Sequence, residues 1–222
     1  FASAGTRVEL TLGSTSSLKN NQATTTSGGG IWLQSFSFLD ISGAGTKLDI
    51  DGNTAEQSGG GVSAFGASAV TVSSGARLNV LNNYARTGKG GGHGGGFLIQ
   101  DTGTRIDFTG EGTKVVVEGN TAEQSGGGVF ALTASAVTVS SGASMNVLNN
   151  QAQMSGGGFY IAMEGTRLDV NGEETRLVFM KNTAKEHGGG IAIQSGAVAR
   201  VTSPSTFHSN VATEGRGGGV AC

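Results

Sequence analysis

One repeated motif constrains the fold of this chain more than any other feature. A glycine triplet followed by an apolar residue occurs seven times, and Asn-x-Ala precedes each triplet. The apolar residues after the triplets are Ile31, Val62, Phe97, Val129, Phe159, Ile191 and Val220. The asparagines are Asn21, Asn53, Asn83, Asn120, Asn150, Asn182 and Asn210, at intervals of 32, 30, 37, 30, 32 and 28 residues. Self-similarity at this period indicates a solenoid that stacks one supersecondary unit.

A longer period is superimposed on the first. The segment GNTAEQSGGGV at 52–62 recurs unchanged at 119–129, which is an offset of 67 residues. The segment ASAVTVSSGA at 67–76 recurs at 134–143 with the same offset. Two kinds of unit therefore alternate, and we interpret the chain as the product of duplication of a two-unit segment.

Within each unit, apolar residues alternate with polar ones. Val70 and Val72 form one such pair, and Leu78 and Val80 form the next. This period of two predicts strands with one buried face, and no window shows the 3.6-residue period of a helix. Three short strands per unit of about 31 residues predict an all-β fold, a parallel β-solenoid of about seven coils. At the usual strand spacing the rod would be roughly 34 Å long.

The seven asparagines occupy the same place in every unit. We expect them to stack at one corner, where each side-chain amide would bond to the next and satisfy polar groups that the interior would otherwise leave unpaired. The small alanine two residues later would fit a tight turn. The glycine triplets would supply positive φ angles and close passage of the backbone.

Two surface features are candidates for binding. Trp32, Leu98, Phe130 and Tyr160 occupy the second position of the strand after the triplet, which should face outward. An outward apolar column of this size predicts a partner surface or a platform for sugar rings, with cover by a neighbouring loop as the alternative. The longest asparagine interval locates an insertion, RTGKGGGHGGG at 86–96. We expect it to project as a flexible contact loop with Lys89 and His93 facing solvent.

Composition and charge argue against several classes of function. The net charge of −2 gives no electrostatic attraction for nucleic acid, and the single Cys222 excludes an internal disulfide or a multi-cysteine metal site. Asp40, Asp107 and Asp169 recur at one position of alternate units, which we interpret as repeat inheritance rather than a catalytic carboxylate cluster. The glycine-rich turns lack the aspartate that calcium-binding solenoids need. We therefore expect no enzyme activity, no metal and no cofactor.

The ends of the chain carry further expectations. The sequence begins with Phe1, without a recognisable signal peptide, and contains no apolar stretch long enough to cross a membrane. The repeated motif begins again at Gly217, and the given sequence stops at Cys222. We therefore expect residues 1–222 to form one β-helix segment that is an internal piece of a longer repeat protein, without direct membrane insertion.

Two units carry a Phe-x-x-Asn signature at 179–182 and 207–210, and Gly189-Gly190-Ile191 is close to a Gly-Gly-Ala-Ile signature. This pair resembles the repeats of polymorphic outer membrane proteins. The other five units have Leu, Ile or Val in place of Phe, and a third glycine stands where that family usually has alanine. The resemblance covers nearly the whole chain and implies a right-handed parallel β-helix.

The same resemblance implies an extracellular or cell-surface protein with a structural or adhesive role and no catalytic residues. Our hypothesis is a stiff rod that presents binding surfaces. Its partners would be another copy, in lateral or head-to-tail fibre contacts, or a cell-surface protein or glycan. The alternative is a carbohydrate-active or glycan-binding β-helix of the polysaccharide lyase or hydrolase kind. A groove that groups unlike carboxylates with Arg or Lys would favour that alternative.

Overall fold

The computed structural model describes residues 5–222, with the exception of the side chain of Lys89. Within this range the chain forms 28 short strands and one turn of 3₁₀-helix at Gly88–Gly90. Strands of successive coils pair in parallel, and they form four sheets of seven strands each. The predicted all-β parallel solenoid of about seven coils is therefore confirmed, with one Asn-x-Ala motif in every coil.

The first two sheets contain the longer strands. The strands of the first sheet are Arg7–Leu10, Phe38–Ser42, Ala69–Ser73, Arg105–Thr109, Ala136–Ser140, Arg167–Asn171 and Val198–Val201. The strands of the second sheet are Thr15–Lys19, Lys47–Asp51, Arg77–Leu81, Lys114–Glu118, Ser144–Leu148, Arg176–Met180 and Ser205–His208. Both sets coincide with the alternating segments of the sequence, because each strand needs apolar side chains on one face only.

The third and fourth sheets flank the glycine triplets. The strands of the third sheet are Gln22–Ala23, Thr54–Ala55, Tyr84–Ala85, Thr121–Ala122, Gln151–Ala152, Thr183–Ala184 and Val211–Ala212. The strands of the fourth sheet are Ile31–Leu33, Val62–Ala64, Phe97–Ile99, Val129–Ala131, Phe159–Ala162, Ile191–Gln194 and Val220–Ala221. The sequence predicted three strands per coil. The third sheet is an addition, because a two-residue strand is too short to show a period.

The core is one apolar cluster that runs through the coils. In the strand Arg77–Leu81, Leu78 and Val80 are buried while Arg77 is exposed. The parallel register places Leu78 beside Val115, so that like residues of successive coils contact each other. Because one coil alone cannot bury its apolar face, this stacking is what stabilises the fold.

Buried hydroxyl groups at the corner between the first two sheets explain part of the two-coil period. Thr46 Oγ1 accepts a hydrogen bond from Gly13 N at 3.0 Å and donates one to Ser42 O at 2.8 Å. Thr113 Oγ1 makes the equivalent pair of bonds two coils later, at 3.0 and 2.9 Å. In the coil between them the buried Ala76 occupies this corner. Threonine in every second coil therefore bonds both its own turn and the turn of the preceding coil.

Candidate functional site

The seven asparagines form a continuous hydrogen-bonded ladder along one corner. The side-chain Nδ2 of each of the first six donates to Oδ1 of the asparagine in the next coil, at distances of 2.8–3.0 Å. The backbone N–H of each donates to the same oxygen, at 2.9–3.0 Å. The second amide hydrogen reaches a carbonyl of the preceding coil, as in the bond from Asn120 to Val80 O at 2.9 Å. The buried amides of the central rungs are therefore fully bonded.

The predicted outward column on the fourth sheet is in register, but it is not an exposed surface. Leu98 lies beside Phe130, and Phe130 lies beside Tyr160, in adjacent strands. Leu98 is 4% exposed and Phe130 is 5% exposed, while Trp32 and Tyr160 are partly buried. The expectation that these side chains form an open apolar column is therefore wrong. The alternative, in which a neighbouring segment of the same chain covers them, agrees with their burial.

Two features of the neighbouring chain account for this burial. The first glycine of the triplet has a positive φ of 71° at Gly126, which folds the chain back against the strand that follows. A Cβ at Gly126 would lie only 2.7 Å from Cβ of Phe130. The ring of His93 then stacks on Phe130 with 4.2 Å between centroids, and Tyr160 stacks on the other side at 5.0 Å. The stacked rings of His93 and Tyr160 therefore shield Phe130 from solvent.

The insertion at 86–96 packs against the solenoid and does not project. Gly91 and Gly92 are buried. Gly92 donates its N–H to Gln57 O of the preceding coil, and its carbonyl accepts from Gln124 N of the following coil at 2.8 Å. The expectation of a flexible bulge is therefore wrong, because the backbone of the insertion bonds to the coils on both sides of it. The prediction that the Lys89 side chain faces solvent lies outside what the structure describes.

Two copies of the duplicated segment hold the insertion from either side. Arg86 Nη1 donates to Glu56 Oε1 at 2.9 Å. Glu123, the equivalent residue 67 positions later, accepts from the Tyr84 hydroxyl at 2.5 Å and from the Thr87 hydroxyl at 2.7 Å. These hydrogen bonds lower the pKa of the Glu123 carboxyl, and the bond to Glu123 raises the pKa of Tyr84. Sequence reasoning missed this clamp, although the repeated Glu-Gln pair on both sides of the insertion was a visible signal.

His93 is half-buried instead of facing solvent. It occupies the position that Ser58 and Ser125 hold in the neighbouring coils, directly before the triplet. Its Nδ1 accepts a hydrogen bond from Ser125 N at 3.4 Å, and burial lowers the pKa of the imidazole below its usual 6.5. The neutral ring, which can stack on Phe130 and accept this bond, is therefore the form that the folded chain favours.

A pH dependence of stability follows from this lowered pKa. As pH falls, the unfolded chain takes up the proton of His93 before the folded chain does, so stability present at neutral pH is lost below about 6.5. We expect the free energy of unfolding to fall between pH 7 and pH 5, by no more than about 1.4 kcal/mol per pH unit for this one proton. The variant His93→Ser should show a shallower decrease in denaturant titrations at the two pH values. His208→Ser is the surface control, and an identical slope in wild type and His93→Ser would contradict the assignment.

The repeated aspartates of the first sheet do not form a cluster. Each lies beside an arginine: Arg7 Nη1 is 3.3 Å from Asp40 Oδ2, Arg105 Nε is 2.8 Å from Asp107 Oδ2, and Arg167 Nε is 3.0 Å from Asp169 Oδ2. Thr71 and Thr138 lie on either side of Asp107 in the neighbouring strands. Among residues 5–222, no group of three or more His, Cys, Asp or Glu side chains could hold a metal ion.

A shallow groove on the same face does group two carboxylates with arginines. Glu9 and Asp40 lie in it with Arg7, Thr71 and Arg105. Arg7 Nη1 is 3.4 Å from Glu9 Oε1 and 3.3 Å from Asp40 Oδ2, so one guanidinium is paired with both acids. This arrangement can bind polar groups of a ligand, and it is the kind of grouping that the carbohydrate alternative requires.

The described solenoid has apolar side chains at both of its end coils. At the first coil, a groove of about 300 Å³ is lined by residues that include Val8, Leu10, Leu18 and Trp32. In the last coil, five apolar side chains are 38–46% exposed: Val198, Val201, Phe207, Val211 and Val220. The ring of Phe207 stacks on Phe179 with 5.0 Å between centroids, and its other face has no ring against it in the described chain. Each end coil can therefore accept another coil.

The four parallel sheets and the stacked, repeating coils define the chain as a parallel β-solenoid repeat protein. Comparison with protein-family models, curated proteins and solved structures found no match to it. Within the described residues, no helix has the length and apolar character needed to cross a membrane.

Proposed function

We propose that this chain is a non-enzymatic structural and adhesive element of an extracellular or cell-surface protein. Its seven coils would act as a stiff rod that carries binding side chains on its outer faces and contacts further coils, or a second copy, at its ends. The repeat identity that we propose is that of the polymorphic outer membrane proteins, supported by Phe179, Asn182, Phe207 and Asn210 at the signature positions. The proposed location outside the cell depends on that repeat identity.

The observation that carries the rod function is the asparagine ladder together with the apolar end coils. The ladder runs without interruption from Asn21 to Asn210, so each coil is joined to the next by directional bonds as well as by apolar contact. The polar side chains of the outer faces repeat from coil to coil and pair within their own strand, as in Arg105 with Asp107, or with the adjacent coil, as in Asn79 with Asp49. This is the pattern of a scaffold and differs from the unlike, convergent groups of a catalytic centre.

Assembly through the end coils can be tested with one substitution. We expect the wild-type chain to associate end to end as concentration rises, and Phe207→Asp to weaken association by about tenfold or more, because a charge would be buried in the contact. Sedimentation analysis and electron microscopy of rod length would measure both. Met163→Asp is the matched control, since Met163 is an exposed apolar residue of a lateral turn. A wild-type chain that remains a monomer of fixed length at high concentration would contradict assembly.

The second candidate is a glycan-binding or carbohydrate-active β-helix, which the groove of Arg7, Glu9, Asp40 and Arg105 favours. In that case the wild-type chain would bind or cleave a polysaccharide, and Asp40→Asn would abolish this. Retention of the full activity in Asp40→Asn would remove the groove from consideration. Polysaccharide cleavage by the wild-type chain would also contradict the non-enzymatic proposal.

A further inference from the structure

One row of cations on the second sheet differs from the paired arginines of the first sheet. The first outward position of these strands holds Lys47, Arg77, Lys114 and Arg176, with Ser144 between the last two. Arg77 lies in direct register between Lys47 and Lys114. Cations directly opposite each other in neighbouring strands repel, so a row of this kind destabilises the sheet unless something compensates it.

In the first sheet a nearby carboxylate compensates each such cation, but most members of this row lack one. In the first sheet a carboxylate stands two residues after the arginine, as in Arg105–Asp107 and Arg167–Asp169. Lys47 has the same arrangement with Asp49, at 2.8 Å. The carboxylate is replaced after the other three cations by a neutral residue: Asn79 follows Arg77, Val116 follows Lys114, and Val178 follows Arg176.

Arg77, Lys114 and Arg176 are exposed. None of the three has an ion pair with another side chain among residues 5–222. Glu111 and Glu174 lie in the turns before Lys114 and Arg176, and Glu118 lies at the far end of the Lys114 strand. None of these acidic residues is within ion-pair distance of either cation. The chain as a whole is slightly negative, with a net charge of −2, so this row is a local feature and does not reflect a generally basic surface.

We propose that this row, together with the neutral residues that lie beside it from Asn79 to Val178, binds an anionic glycan that lies along the axis of the solenoid. The inference deepens the adhesive function proposed above by naming the class of ligand. The row is straight because successive strands are in register, and it spans four strand spacings from Lys47 to Arg176, which is about 19 Å. An occupant must therefore be a linear polyanion.

The spacing and the neighbouring residues select a glycan among linear polyanions. Coils repeat at about 4.8 Å, close to the length of one sugar ring in an extended chain, whereas an extended peptide advances about 3.3 Å per residue. The second outward position holds Asp49 beside Lys47, where it accepts a hydrogen bond from Asn79 Nδ2 at 2.7 Å. From Asn79 onward this position alternates amide and apolar groups, with Asn79, Val116, Asn146 and Val178 in successive coils. Amides can bond hydroxyl groups and valines can contact the C–H faces of sugar rings. Aromatic side chains, on which the bases of single-stranded nucleic acid stack, do not occur among these residues.

The test uses two anionic probes and the intact chain. A heparin oligosaccharide supplies sulfates, and an oligogalacturonate of equal length supplies carboxylates without sulfate. We expect the wild-type chain to bind at least one of them at low salt, and the double variant Arg77→Gln with Lys114→Gln to lose about tenfold or more in affinity. The slope of log affinity against log salt should fall by about one for each cation removed. The probe that binds more tightly identifies the anionic group.

A matched control distinguishes binding by this row from a general effect of net charge. The double variant Arg167→Gln with Lys185→Gln removes two exposed cations that pair with Asp169 and Glu214. It should bind the probe within about twofold of wild type and keep the wild-type salt slope. Equal loss in both double variants, or no binding of either probe to wild type at low salt, would overturn the proposal. Tighter binding of oligo(dT) than of both glycans would replace the glycan by nucleic acid.

The outcome is independent of end-to-end assembly. The row lies on a lateral face, so Phe207→Asp should leave glycan affinity unchanged, and the row variant should assemble as the wild type does. Circular dichroism and thermal unfolding of each variant would show that the fold is retained. Loss of assembly with retained glycan binding would refute the rod-assembly function alone, and the reverse result would refute only the glycan.

Discussion

Replacement of Asn120 by alanine is expected to lower the free energy of unfolding by about 3–5 kcal/mol, because it leaves two buried hydrogen-bond donors without acceptors. Asn120 Oδ1 accepts from Asn83 N and from Asn83 Nδ2, both at 2.9 Å. Its own Nδ2 donates to Val80 O and to Asn150 Oδ1, again at 2.9 Å. The alanine variant therefore leaves the backbone N–H of Asn83 and one hydrogen of its side-chain amide without an acceptor, at a position that is fully buried.

The control for this prediction is Asn146→Ala. Asn146 faces outward from the strand Ser144–Leu148, four residues before the rung Asn150, and is only partly buried. Its replacement should change the free energy of unfolding by about 0.5 kcal/mol or less, as for ordinary surface positions. Denaturant titration would measure both variants. Amide hydrogen exchange would show whether the loss is confined to the coils on either side of Asn120, as expected where each coil contacts only its neighbours. Equal effects of the two substitutions would refute the ladder as a stabilising element.

Gly127→Ala is expected to destabilise the chain by about 3 kcal/mol, through collision between adjacent coils. A Cβ at Gly127, the middle glycine of its triplet, would lie 2.5 Å from Gln151 O and 2.6 Å from Gln151 C. It would also collide with the carbonyl oxygen of Gly157. These atoms belong to the backbone of the next coil, which is fixed by bonds such as Gly127 N to Gly156 O at 3.0 Å. The coils would have to separate locally, so several inter-coil bonds would lengthen together.

Gly112→Ala provides the comparison, because it tests backbone conformation without close contact. Gly112 has a φ of 76°, and a Cβ there would meet only Gly75 Cα, at 3.5 Å. The expected cost is about 1 kcal/mol, the usual penalty for a left-handed conformation with a side chain. Gly127 has no such φ, so an argument from backbone angles alone would rank the two variants in the opposite order. Thermal unfolding would decide, with a decrease in Tm of roughly 6–12 °C for Gly127→Ala. A larger effect at Gly112 would contradict the collision.

The sequence was sufficient to predict the solenoid because all seven units carry the same signals. Every coil supplies its own Asn-x-Ala, its own triplet and its own alternating pairs, so an error in one unit is corrected by six others. The short third sheet was not predictable, since strands such as Thr121–Ala122 are recognised only by their pairing with the next coil. The threonine corner was visible as a two-coil period, but its bonds to the preceding coil depend on the stacking.

The surface was predicted less well than the core, and the insertion shows why. A run of glycines with Lys89 and His93 has the composition of a mobile loop, and composition contains no information on what lies above and below it. In the folded chain Glu56 and Glu123 come from the coils on either side, 67 residues apart in sequence, and bond to Arg86 and Thr87 within the insertion.

The sequence by itself determined the architecture: seven coils, the ladder of asparagines and the alternation of buried and exposed positions. These follow from local periods, which every unit repeats. Only the tertiary structure decided which outward positions are accessible. Phe130 is outward in its strand and yet buried, because the turn at Gly126 and the ring of His93 from the preceding coil cover it. The same stacking aligns Arg77 with Lys114 across 37 residues, since contact between coils depends on register and not on distance along the chain.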